Sequence, residues 1–148
     1  MQKYLLIPLL STSLKLFACT NCACPYVLDV VIKNQTPIDC QLVQNDISEG
    51  KIHSQFYPLK VAAGETSAPY TFEIDATTQR TKVTLSFQCG NKFVSFDAQR
   101  TFVRGYLSNT EIARGAITSV AGLDASYTTV PSHCDEPVAA NTMYWTFK

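Results

Sequence analysis

From Pro25 onward apolar and polar residues alternate with a period of two, which puts one face of each segment in a core and the other toward water. Over 26–33, Tyr26, Leu28, Val30 and Ile32 share a face, and Asn34-Gln35-Thr36-Pro37 then reads as a turn. Ile38, Cys40 and Leu42 alternate with Asp39 and Gln41 as a second strand with its cysteine inward. Residues 45–50 read as a polar loop, 51–57 as a third strand and 62–65 as a turn. Tyr70, Phe72 and Ile74 then alternate with Thr71 and Glu73. The strongest signal is a hairpin. Val83, Leu85, Phe87 and Cys89 point one way, Gly90-Asn91 supplies a two-residue turn, and Val94, Phe96 and Ala98 return on the same face.

The remainder is less regular. An extended run covers 101–106. Ser108-Asn109-Thr110-Glu111 has capping-box spacing, and Gly115 limits any helix there to one short turn. Residues 116–130, rich in Thr, Ser, Val and Tyr, read as one or two edge strands, and Met143, Trp145 and Phe147 as a final strand. Strands at this spacing, with turn residues between and no long helical period, predict an all-β, single-domain antiparallel β-sandwich. The cysteines point to stabilisation by disulfides.

Composition narrows the function. The 148 residues carry 12 Lys+Arg and 12 Asp+Glu, so the net charge is zero. Nucleic acid is thereby disfavoured as a partner, since its phosphates call for an excess of cations. Only 16% of residues are charged and 46% are hydrophobic, which argues against intrinsic disorder. The chain opens with Lys3 and a short apolar run ending at Lys15, the layout of a secretory signal peptide. That run is about ten residues, too short to span a bilayer. The expected organisation is a signal peptide over 1–23 and the sandwich over 24–148, with no transmembrane helix in the mature chain. Leu16-Phe17-Ala18-Cys19 also resembles a lipobox, so lipidation at Cys19 is the alternative.

Cleavage before Cys24 leaves Cys24, Cys40, Cys89 and Cys134, an even number suited to an oxidising compartment. Cys40 and Cys89 both lie inward on patterned strands. A bridge between them would close a loop worth roughly 4 kcal/mol in the chain-entropy model, leaving Cys24 and Cys134 to tie the ends. Four cysteines allow three connectivities, and spacing does not choose among them. As metal ligands, Cys19, Cys22 and Cys24 lack a second spaced pair, and His133-Cys134-Asp135-Glu136 stands alone. No metal or cofactor is expected.

Catalysis finds little support. His53 and His133 are the only histidines, and each has a plain reading as a surface side chain. No nucleophile elbow, metalloprotease helix, P-loop or dinucleotide fingerprint occurs. No catalytic residue is assigned. Asn34-Gln35-Thr36 fits the N-glycosylation sequon, with Pro37 directly after it.

Between Val27 and Ile74 the succession of a strand ending in Asn34, a second holding Leu42, Gly50-Lys51 and Val61-Ala62-Ala63-Gly64-Glu65 resembles the first half of aegerolysin-type proteins. The resemblance implies a small secreted β-sandwich that binds membrane lipids, and it carries over no individual binding residue. With Tyr57, Tyr70, Tyr106, Tyr127 and Tyr144 as amphipathic contact groups, the reading is an exported, non-enzymatic bacterial binding protein, effector-like, secreted or periplasmic. Its expected partner is a protein or lipid surface. The competing readings are a small secreted hydrolase using His53 or His133, and an envelope lipoprotein held to the bacterial outer membrane through Cys19.

Overall fold

The computed structural model describes residues 27–53, 57–104, 109–130 and 141–148, and within them every side chain except those of 102–104, 109–112 and 141. In chain order the strands are β1 (Val27–Asn34), β2 (Cys40–Glu49), β3 (Lys51–Ile52), β4 (Lys60–Val61) and β5 (Tyr70–Glu73). They continue with β6 (Arg80–Cys89), β7 (Lys92–Arg104), β8 (Asn109–Ala121), β9 (Ala125–Val130) and β10 (Asn141–Phe147). Two sheets result, ordered β3-β5-β1-β10-β9 and β4-β2-β6-β7-β8. The fold is an all-β sandwich.

Each sheet contributes its alternating apolar face to one core. Leu28, Val30 and Ile32 of β1 meet Val83, Leu85 and Phe87 of β6 and Val94, Phe96 and Ala98 of β7, all buried. Aromatic rings run through the middle. Tyr70 meets Phe87 edge-on, Phe87 stacks on Phe96, and Phe96 stacks on Trp145 at 4.0 Å between centroids. Such ring pairs add to the burial of large apolar surfaces. Arg100 is also fully buried, and its guanidinium donates to the Val27 carbonyl, fastening β7 of one sheet to β1 of the other.

The hairpin over 83–98 forms as expected, with Gly90 at positive φ (63°) and Cys89 paired to Lys92. Positive φ at the first central residue and not at the second is the primed turn geometry that suits the twist of two strands.

Several local expectations fail. Ile38 is not in β2 and does not face inward. Asn34 and Thr36 each donate to its carbonyl at 2.8 Å, holding 34–38 as a turn and leaving Ile38 37% exposed. Residues 45–49 are strand rather than loop, because β2 follows β6 as far as Glu49 by taking two bulges. Such irregularities let a half-polar edge stay paired. The third strand shrinks to Lys51–Ile52 and Tyr57 lies outside it. Glu111 belongs to β8 and not to a helical turn, since β8 pairs along the whole length of β7 from Arg104 to Phe93. Ser108 and Tyr106 lie outside the described residues. The final strand is central, and β1 and β10 run parallel while every other pairing is antiparallel.

Candidate functional site

The sandwich has two open sides, where the edge strands of its sheets face each other. On one side stand β3 and β5 of the first sheet and β4 and β2 of the second. Lys51 and His53 both reach Glu73, at 2.7 and 2.5 Å, and Lys60 pairs with Asp39 at 2.5 Å. Lys51 and His53 together hold the Glu73 carboxyl below its usual range. Lys60 and the Ala63 N–H do the same for Asp39. These groups are mostly solvated, and each such pair contributes little to stability. Their effect is to keep the edge wet and charged.

On the other side stand β8 and β9, and the chemistry changes. From Gly115 to Val130 the sequence carries one charged residue, Asp124. Ile117 is opposite Phe96 in register and Val120 is opposite Val94, so both belong to the inward face of β8. They nevertheless remain 46% and 50% exposed, uncovered by β9. Tyr127 of β9 is opposite Trp145 and lies against it at 4.9 Å between centroids, 40% exposed. Trp145 itself is fully buried and forms the floor of this side. Its indole N–H finds no acceptor among the described residues.

Gly115 is what lets β8 lie this close. A Cβ there would come 2.6 Å from Trp145 Cζ2 and 3.0 Å from both Met143 Cε and Tyr127 Cδ1. In the sequence this glycine reads as a helix stop. Its function in the fold is to clear room for an indole on the facing sheet, a long-range constraint that local pattern does not carry.

Other residues singled out in the sequence fall as follows. Cys40 and Cys89 form a disulfide as neighbours across β2 and β6, closing a separation of 49 residues. Cys19, Cys24, Cys134 and His133 lie outside the described residues. No three His, Cys, Asp or Glu side chains among the described residues come together as a metal site. His53 sits at the surface with its Nδ1 2.5 Å from the Glu73 carboxylate, which Lys51 also pairs. Tyr70 is a core residue, not a contact residue. Its hydroxyl donates to the Pro58 carbonyl at 2.6 Å, and burial drives its acidity far down. Asn34 of the sequon is buried, with its amide nitrogen donating to the carbonyls of Ile38, Val61 and Ala62. In the folded chain that nitrogen is committed to structure and closed to a glycan.

No protein-family model matches the chain, and no curated protein is similar to it in sequence. Among solved structures it is similar to the lipid binding protein Nakanori, with a TM-score of 0.51 and 8% identity. The match covers 82% of this chain and 69% of that one. At that identity the likeness is one of fold, and none of the three comparisons supplies sequence support for the aegerolysin resemblance.

Proposed function

We propose that this chain is an exported, non-enzymatic binding module that engages a lipid membrane surface through its β8–β9 side. The observation that carries this reading is the pair Ile117 and Val120, inward-facing by register, left uncovered, and set in a stretch with a single charge. Soluble proteins seldom leave contiguous apolar surface open without a use for it. The likeness in fold to a lipid binding protein supports the same reading. No helix among the described residues is long and apolar enough to cross a membrane. The Cys40–Cys89 disulfide fits residence in an oxidising compartment. A leader over 1–23 that directs export, in a bacterium, completes the proposal.

The chemistry of the side also specifies the lipid. Its described side chains on β8 and β9 include one cation, the exposed Arg114, and none from Gly115 to Val130, and juxtamembrane cations are what draw proteins to anionic lipid. Binding is therefore expected to zwitterionic phosphatidylcholine vesicles, with little dependence on salt. Co-sedimentation tests it. The native chain should pellet with such vesicles, and the Ile117→Asp/Val120→Asp chain should lose at least tenfold in affinity, since half of two aliphatic side chains is worth about 2 kcal/mol. Failure of the native chain to pellet would count against a lipid partner and leave a protein surface as the target.

A further inference from the structure

Away from the β8–β9 side, an open depression of about 520 Å³ lies at the Gly90 end of the second sheet, lined by Pro37, Ile38, Asp39, Gln41, Gln88 and Gly90. Its walls are held in place before any ligand arrives. Gln41 and Gln88 are directly opposite each other across β2 and β6, which brings their side chains together on the outer face. Gln88 is further fixed by donating Nε2 to the Gly90 carbonyl at 2.7 Å, leaving its amide oxygen as acceptor. Asp39 is steadied by the Ala63 N–H at 2.9 Å and by Lys60, which keep it ionised. Pro37 and Ile38 supply an apolar wall, and the Asn34–Thr36 hydrogen bonds lock that turn. Phe93 lies next along the same outer row, opposite Gln88.

This combination is selective. Planar amides donate and accept at neighbouring positions, a carboxylate accepts from two adjacent hydroxyls, and the apolar wall suits a ring edge of C–H groups. Lys60 is already paired with Asp39, so an anionic ligand would meet that carboxylate without help from Lys60. We propose that the depression is a binding site for a neutral sugar ring bearing adjacent hydroxyls, either as a free saccharide or as a glycolipid headgroup. It is a second site, separate from the membrane-facing side, and it does not depend on that reading.

The test uses the full chain carrying Ile117→Asp/Val120→Asp, so that membrane contact and sugar binding fail separately. A panel of neutral mono- and disaccharides is titrated while backbone amide shifts are followed. Phosphatidylcholine vesicles with and without glucosylceramide form the second arm. The expected result is saturable shifts confined to 37–41 and 88–90, or pelleting that requires glucosylceramide. Either should weaken roughly tenfold in Gln41→Ala/Gln88→Ala, the loss of two modest hydrogen bonds. The first arm responding identifies a free saccharide, and only the second a headgroup. Should Gln88→Ala disturb the hairpin, Gln41→Ala alone carries the comparison, because Gln41 is exposed on β2. No response in either arm, or equal binding by the variant, overturns the proposal.

Discussion

Along β2, β3 and β4 the exposed side of the sandwich carries ion pairs, Lys51 on Glu73 and Lys60 on Asp39, with His53 also against Glu73, and Cys40–Cys89 ties the neighbouring strands covalently. Along β8 and β9 none of the three described lysine–carboxylate pairs occurs; that side rests on Gly115 and Tyr127 packed against Trp145. Exposed apolar residues are present on both sides, and Leu59 near β4 is the most exposed of them at 65%. What separates the sides is therefore the density of charge, since Arg114 is the single charged residue among the described side chains of β8 and β9. Lysines on an edge strand keep other strands and apolar surfaces away, because approach would strip their water. An edge with only Arg114 charged among its described side chains, and none of these ion pairs, resists a hydrocarbon surface less.

That contrast can be strained from the charged side first. Replacing both Cys40 and Cys89 by Ala should cost about 4 kcal/mol, the chain-entropy value for a loop of this length. Urea unfolding followed by Trp145 emission measures it. The molecules that remain folded should still bind vesicles, because the bridge lies away from β8. On the β8–β9 side, Gly115→Ala forces a methyl against the indole at 2.6 Å. Overpacking of this kind should cost about 2 kcal/mol and shift the emission of the chain's single tryptophan. An unchanged midpoint would mean that β8 does not lie on Trp145 as described.

Smaller effects sharpen the assignment. Ile117→Ser removes a half-exposed aliphatic and should weaken vesicle binding about fivefold, from roughly 1 kcal/mol of lost burial, without lowering stability. Leu59→Asp, although it alters a more exposed residue, should leave vesicle binding unchanged; if it weakens binding as much, charge is not the deciding difference. The smallest effect concerns pH. Glu73, Asp39 and Asp75 all have carboxyls held below their usual range, Glu73 by Lys51 and His53, Asp39 by Lys60, and Asp75 by the N–H groups of Thr78 and Thr77. A lowered native value means that the unfolded chain takes up protons first. The stability these groups add is thus complete above about pH 5.5, begins to fall as pH passes the unfolded values, and is gone below their native values. Glu73→Gln should flatten part of that acid limb and leave lipid binding as it was.

Much of the sandwich was legible in period-two alternation. Leu28, Val30 and Ile32, the faces of β6 and β7, the Gly90 turn and the inward Cys40 and Cys89 all follow from side chains alternating across a strand. What alternation missed depends on partners distant in sequence. Residues 45–49 look like a loop until β6 supplies the ladder that holds them. Ile38 looks inward until Asn34 and Thr36 pull its carbonyl into a turn. Ser86 and Ser95 sit on the nominal outer face yet are buried, joined hydroxyl to hydroxyl at 2.9 Å, with Thr118 donating to Ser95 at 3.0 Å from β8. The candidate site was the least legible part. Ile117 and Val120 fall on one face only because β8 takes a bulge beside Ser95 and Phe96, and no period-two reading places them together.

Hydrogen exchange on the full chain, with and without phosphatidylcholine vesicles, compares the two sides in one experiment. Slowed exchange confined to the amides of 115–130, with 51–61 unaltered, is the outcome expected of a lipid contact made by the β8–β9 side. Slowing centred on 51–61, or no slowing under conditions where the protein pellets with vesicles, would contradict it.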